Sequence, residues 1–272
     1  KKYFDEIMTK IKNEKYDVVF LISGQSLSFS ESMIEQIKKS QPYAKFVLYQ
    51  WDSQTNFPYI KKVQKYFDKC YSFDRRDVEE NSSLMFLPLF YSKIYENIGK
   101  EKKKEYKYDF CFVGTAHPKK YKFIKMMSEQ LKVVYPNQFI YFFFPSPMVY
   151  FYRKIKNKEL KDAKYNDFHY IPLNENEMNN VYEKSRCVLD SAQDGQLGLT
   201  IRVLEAIGAK KKIITTNEDV INYDFYYPEN IYVYNGKMDL DNVFFKEEYK
   251  ELDKEIYEKY SLRNWLKKIV EE

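Results

Sequence analysis

Three of the seven glycines in this chain, Gly195, Gly198 and Gly208, fall within one segment, QDGQLGLTIRVLEAIGAKKKIITTN (residues 193–217). Arg202 and Glu205 stand between the second and the third. Glycine carries no Cβ, so a loop holding two of them turns sharply and lets its backbone approach a bound molecule. The run at 186–190 reads as a strand, and a helix starts near Leu199 or Thr200. The first N–H groups of that helix are unpaired and carry the positive end of its dipole, so an anion is favoured there. Arg202 and Glu205 are three apart and project from one face near the same end. Leu199, Val203 and Ile207 take the face toward a sheet. Gly208 then ends the helix, and KKIITTN returns as a strand. A guanidinium and a carboxylate at a glycine loop suit a diphosphate and the vicinal hydroxyls of a ribose. The same pattern also fits an ordinary α/β turn with a solvated ion pair that contributes little. Spacing alone weighs the two about equally.

The elements that must position this segment alternate between strand and helix. DVVFLIS at 17–23 is a continuous apolar run ending at Gly24, as expected of a strand buried on both faces. A helix at 31–39, strand KFVLYQ at 45–50, helix at 59–67, strand KCYSF at 69–73 and an extended piece MFLPLF follow. The pattern restarts after a Lys-rich run at 100–107. YDFCFV at 108–113 ends in Gly114, a helix covers 121–134, and a strand at 139–144 is closed by PSP, where prolines stop pairing. A helix at 148–160, strand at 168–171, helix at 175–184, the glycine segment, a short strand at 230–234 and a helical segment at 247–270 complete the chain. Such alternation predicts βαβ units and parallel sheets. The expected fold class is α/β, with two Rossmann-like doubly wound domains and the ligand cleft between them. The expected division is 1–102, 103–250 and a C-terminal helix, 251–272, packing back on the first domain.

Composition narrows the function. Aromatic residues make up 18% of the chain, enough to build a large core and leave tyrosines to line a polar pocket. The formal net charge of +5 is mildly basic, suiting anionic ligands or a membrane surface and falling short of a nucleic-acid-binding signature. Cys70, Cys111 and Cys187 are odd in number and sit in apolar runs, as expected of buried thiols in a reducing compartment. No Cys-x-x-Cys or paired histidine spacing suggests a metal site, and no apolar run is long enough to span a membrane. These features predict a cytoplasmic protein. The chain opens without methionine inside a helix-like segment, and the expectation is that some native N-terminus precedes it.

The stretch GLTIRVLEAIGAKKKIITTN, with YDFY at 223–226, resembles the signature of bacterial capsular and lipopolysaccharide biosynthesis proteins of the GT-B glycosyltransferase type, within the group that includes the CgeB-like proteins. The similarity extends to YQWDS (49–53), FLPLFY (86–91), DFCFVGT (109–115) and HYIPL (169–173), covering most of the chain. The resemblance implies a nucleotide-diphosphate sugar as donor substrate, held by the second domain with no separate cofactor or metal. Glu205 would take the ribose hydroxyls, while Gly198, Leu199, Thr200 and Arg202 would face the diphosphate. Tyr170, Ile171, Pro172 and Leu173 would lie beside the base. Gly114 and Thr115 would line the cleft, with Lys119 or Lys120 near phosphate. Two departures stand out. Retaining members carry two glutamates separated by seven residues, but Leu197 occupies the position eight before Glu205, so the stereochemistry stays open. The glycine-bearing first strand and loop of the N-terminal domain are also missing.

A GT-B enzyme stabilises its leaving nucleotide with a helix N-terminus and basic side chains. If the reaction inverts, a general base must also deprotonate the acceptor hydroxyl. Asp52, after KFVLYQ and beside Trp51, is the first candidate, and Asp74, after CYSF, is the second. Either also suits a helix N-cap, the more so Asp74. The partners implied are the donor and a saccharide or lipid-linked saccharide acceptor, with no nucleic acid. MVYFYRKIKNK could touch a membrane at the inner face of the cell, but a helix with aromatics inward and lysines outward is the favoured expectation. Two other readings keep the fold: a nucleotide-sugar epimerase, and a non-catalytic nucleotide-binding partner in a polysaccharide synthase assembly.

Overall fold

The computed structural model describes residues 2–24, 29–101 and 105–271. Residues 102–104, in the Lys-rich run where the sequence suggests a domain junction, lie outside the described residues. The chain groups into two compact units. Lys1–Leu89, Asp194–Leu199 and Leu266–Glu272 form the first, and Phe90–Gln193 with Thr200–Trp265 the second. Against the expected division of 1–102, 103–250 and 251–272, the first stretch ends at Leu89, residues 194–199 return to the first unit, and of the C-terminal segment only 266–272 group with it.

The first unit is built on a parallel sheet of β1 (Val18–Ser23), β2 (Lys45–Gln50), β3 (Lys69–Ser72) and β4 (Leu84–Phe86), in the order β1-β2-β3-β4. The apolar run of β2 occupies an interior position, and Phe46, Val47, Leu48 and Tyr49 are buried. Leu48 packs with Ile34, Ile60, Val63, Cys70 and Leu84 into one core. DVVFLIS was expected to be buried on both faces, but β1 is the edge strand of this sheet and most of it is only half-buried, with Ile22 exposed. An apolar run marks a strand without revealing how many neighbours it has.

The second unit carries six parallel strands: β5 (Tyr108–Thr115), β6 (Gln138–Phe143), β7 (Phe168–His169), β8 (Ser185–Leu189), β9 (Lys212–Thr215) and β10 (Ile231–Val233). Their order is β10-β9-β8-β5-β6-β7. The chain winds outward from β5 in one direction and from β8 in the other, so the topology reverses between those two strands. The aromatic content fills this core: Phe110, Phe112, Tyr121, Phe142, Phe144, Tyr150 and Phe168 are all buried in it. The three cysteines are free and buried.

Two expected helices differ. The segment at 247–270 forms two helices, Lys254–Lys259 and Leu262–Glu271. Between them the backbone pairs with Tyr91, whose N–H donates to the Tyr260 carbonyl at 2.9 Å while its own carbonyl accepts from Leu262. The helix Pro147–Lys156 buries Tyr150, whose hydroxyl donates to the Ala163 carbonyl at 3.0 Å. Its other aromatics do not pack inward as expected. Met148, Phe151, Tyr152 and Ile155 all face solvent. Their spacing places them on one helical face, and the sheet contacts the opposite one.

Candidate functional site

In a doubly wound sheet the strands diverge at the topological reversal, and a crevice opens at their carboxyl ends. Here β5 ends in Gly114 and Thr115, and β8 leads directly into Asp190. Asp190 is fully buried, a cost only a dense set of donors offsets. Thr200 Oγ1 donates to its Oδ1 at 2.7 Å, Arg202 Nη1 to the same oxygen at 3.0 Å, and Thr215 Oγ1 to its Oδ2 at 2.9 Å. Sequence reasoning missed this residue. The available signal was a carboxylate closing the apolar strand CVLD.

Arg202 reaches across the end of β5. Its Nη2 donates to the Val113 carbonyl at 3.0 Å, and the guanidinium lies 4.9 Å from the centre of the Phe112 ring. A Cβ on Gly114 would stand 2.6 Å from that Nη2, so only glycine admits the guanidinium here. Arg202, expected at a diphosphate, is thus engaged with Asp190 and the β5 backbone.

Lys120 occupies the first turn of the helix Pro118–Leu131, which starts just after β5. Burial and the like charge of Arg202 lower its ammonium from 10.5 to about 8, against the opposing pull of Asp190. His117 at the N-cap is lowered by burial, by Lys120 and by Arg153. Cations gathered at a helix N-terminus form a place where an anion is favoured. Thr115 and Lys119 lie exposed nearby in the chain. The strand end thus brings Gly114, Lys120, Thr200 and Arg202 into one neighbourhood.

The remaining expected residues lie elsewhere. Tyr170–Leu173 follow β7, the edge strand two positions from β5. There Tyr170 stacks on Tyr165 at 5.0 Å, and the Ile171 carbonyl accepts from Tyr141 at 2.6 Å. Glu205, on the helix Ile201–Gly208, accepts from the Tyr182 hydroxyl at 3.1 Å and is also hydrogen-bonded by Tyr95. Burial raises its pKa, and Arg202 opposes the shift. Arg202 thus bonds at the strand ends while Glu205, within its electrostatic reach, bonds to Tyr182 and Tyr95.

Gly198 and Leu199 group with the first unit, where Asp74 holds the loop. Asp74 is buried. Its Oδ2 accepts from the N–H groups of Leu197 at 2.7 Å and Gly198 at 3.1 Å, and its Oδ1 caps the helix Arg75–Glu80 through Arg76 N–H. A Cβ on Gly198 would fall 2.5 Å from the Phe73 ring, and Gly195 adopts φ +77°. The loop amides expected at a diphosphate are thus met by a carboxylate of the protein. Gly208, expected to stop the helix, is its last residue. The left-handed turn falls at Lys210 (φ 51°), and a Cβ on Gly208 would lie 2.5 Å from the Tyr91 ring.

Asp52 follows β2 and caps no helix. It is half-buried, and burial raises its pKa. A Cβ on Gly24, after β1, would lie 2.8 Å from its Oδ2, and Tyr59 donates to the Gly24 carbonyl at 2.9 Å. Among the described residues no three His, Cys, Asp or Glu side chains gather to hold a metal ion, and no helix is long and apolar enough to cross a membrane.

A glycosyltransferase from Rickettsia africae superimposes on 99% of the chain and 78% of its own length, with a TM-score of 0.58 at 12% identity. An α-glucosyltransferase solved with UDP and a 13-mer DNA matches 99% of the chain and 74% of its own, with a TM-score of 0.53 at 15% identity. The chain has the GT-B fold. Anabaena HepE, solved with UDP and glucose, shares this GT-B fold over 86% of the chain and 67% of its own, at a TM-score of 0.51 and 9% identity. No protein-family model matches the sequence, and no curated protein matches it either. The likeness to GT-B proteins therefore lies in the fold, and the finer resemblance to the capsular and CgeB-like group has no sequence match behind it.

Proposed function

We propose that the protein is a glycosyltransferase that moves a sugar from a nucleotide-diphosphate donor to a saccharide or lipid-linked saccharide acceptor in bacterial surface-polysaccharide synthesis. The observation that carries the reading is the group of cations at the strand reversal of the second sheet, Lys120 and Arg202 beside the N-terminus of the helix Pro118–Leu131. Two of the fold's neighbours were solved with UDP, one of them also with glucose. As the bond between sugar and diphosphate breaks, negative charge develops on the leaving phosphate oxygen. A fixed ammonium and helix N–H groups stabilise that charge without reorganising at the moment of reaction. Arg202 acts through Asp190 and the β5 carbonyl, holding the helix Ile201–Gly208 against the strand ends. Tyr170–Leu173, two strands or about 10 Å from β5, supply a platform for the base. Glu205 meets the ribose through the carboxylate lone pairs that Tyr95 and Tyr182 leave over.

In the first unit Asp52 is the carboxylate suited to take the acceptor proton. Burial favours its protonated form, which makes the carboxylate a stronger base. Asp74 is committed to three backbone N–H groups and serves as a structural bracket.

A thermal-shift screen against UDP-, GDP-, dTDP- and CMP-sugars tests the reading, because specific binding stabilises by mass action. The expected result is a shift with one base class, lost in Lys120→Met. No shift with any of the four would overturn the proposal. Conversion of the free nucleotide sugar without an acceptor, seen by NMR, would point to an epimerase. Binding without transfer or slow donor hydrolysis would point to a non-catalytic partner.

A further inference from the structure

The outward face of the helix Pro147–Lys156 has no role in the site described above. Met148, Phe151, Tyr152 and Ile155 are exposed by 79%, 54%, 58% and 87%, at helical spacing i, i+3, i+4 and i+7. Solvent-facing helices normally place polar residues on that stripe. The stripe broadens sideways through Tyr165, itself exposed, whose ring stacks on Phe151 at 6.3 Å and on Tyr170 at 5.0 Å.

The charge around the stripe has one predominant sign. Between residues 147 and 164 the sequence holds six Lys and Arg against two carboxylates, Glu159 and Asp162. Two of the cations are turned back into the unit. Lys154 Nζ donates to the Ala163 carbonyl at 2.6 Å, and Arg153 lies 5.8 Å from the Phe144 ring centre. Lys156, Lys158, Lys161 and Lys164 are exposed. Lys156 lies along the Tyr152 ring and donates to its hydroxyl at 2.6 Å, covering the polar tip of a ring whose body stays open to solvent.

We infer that this face docks the protein on an anionic phospholipid surface, with Met148, Phe151 and Ile155 entering the acyl boundary, Tyr152 and Tyr165 at headgroup level, and the four lysines against the lipid phosphates. An apolar stripe with tyrosines at its margin and lysines around it matches the layering of a bilayer interface. A second copy fits less well, because a two-fold contact would set one lysine rim against another. The inference stands apart from the sugar-transfer reading, since its assay requires no nucleotide.

The test is co-sedimentation of the full chain with vesicles of phosphatidylcholine alone and of phosphatidylcholine mixed equally with phosphatidylglycerol. The expected result is binding to the anionic vesicles, weakened by salt, and little to the neutral ones. Ile155→Asp should lower the partition coefficient about ten-fold or more, and Lys156→Gln with Lys158→Gln roughly five-fold per cation. Circular dichroism of each variant should match the parent, because the changed side chains face solvent. Met148→Asp supplies a second apolar test at the other end of the stripe. Failure to bind anionic vesicles, or binding indifferent to both Ile155→Asp and Met148→Asp, overturns the inference. So does a lipid-free dimer in sedimentation velocity that Ile155→Asp dissociates, which would assign the face to a second copy.

Discussion

Replacing Arg202 by methionine keeps much of the side chain's bulk and removes its charge. The consequence follows from what surrounds it. The Arg202 side chain is 14% exposed and that of its partner Asp190 is 0% exposed, so solvent cannot take over when the guanidinium leaves. Breaking a buried pair from one side costs about 3–5 kcal/mol, most of it the uncompensated charge left behind. The Thr200 and Thr215 hydroxyls still donate to Asp190 and hold the loss toward the lower end of that range. The lost bond to the Val113 carbonyl and the contact with Phe112 push it back up. We expect Arg202→Met to lower the unfolding free energy of the second unit by about 3–5 kcal/mol. Urea denaturation followed by aromatic circular dichroism measures this. Arg202→Lys, which keeps the charge but not the two-pronged geometry, should lose clearly less. Adding Asp190→Asn to Arg202→Met should restore much of the loss, since the buried charge is then gone from both sides. A loss below about 1 kcal/mol for Arg202→Met, equal to that of Arg202→Lys, would refute the reasoning. It would mean that the guanidinium faces solvent and is available to a diphosphate.

The other predictions address the remaining parts of the two units. Asp74→Ala withdraws the carboxylate from the N–H groups of Arg76, Leu197 and Gly198, and should cost about 2–5 kcal/mol. Limited proteolysis should then cut the 194–199 loop, whereas an uncut loop would show that Asp74 does not hold it. Lys120 binds a proton in the unfolded chain near 10.5 and in the folded protein near 8, so stability should rise as pH increases between those values. Donor affinity should move the opposite way and fall as pH passes about 8, because the ammonium is lost. Lys120→Met should flatten both trends, in denaturation and in calorimetry. Gly208→Ala pushes a methyl to 2.5 Å from the Tyr91 ring and should destabilise by about 1–3 kcal/mol, read from the denaturation midpoint. An unchanged midpoint would mean that the ring moves aside freely. Asp52→Asn should abolish transfer yet leave nucleotide-induced thermal shifts intact. On the proposed reading, transfer by the unmodified protein should fall as pH drops through the raised Asp52 pKa.

The strands were legible because a buried strand must be apolar throughout. KFVLYQ, YDFCFV and KKIITTN all gave strands near the expected positions. What the pattern omits is the neighbour on each side, so DVVFLIS was read as buried on both faces although it lies at a sheet edge and is mostly half-buried. The glycine segment shows a similar limit. Glycine spacing marked tight backbone at Gly195 and the helix end at Gly208, but not the side chains packed against Gly198 and Gly208. The atoms that exclude a Cβ there belong to Phe73 and Tyr91, more than a hundred residues away. Asp190 was overlooked because its meaning depends on Thr200, Arg202 and Thr215 converging in space. The stripe on the helix Pro147–Lys156 was visible as periodicity, but periodicity alone does not say which face points inward.

The route of the chain between its two units has a consequence for synthesis. The first unit includes residues from the beginning, the middle and the last seven positions, so the polypeptide passes from one unit to the other four times. Domains of a single continuous stretch fold in turn as they leave the ribosome. Of residues 1–272, those of the second unit are all made by Trp265, while the first unit still awaits 266–272. Within this stretch the second unit's residues are therefore assembled before the first unit's. An isolated piece ending at Leu89 would lack the 194–199 loop that Asp74, Ser53 and Asn56 bind.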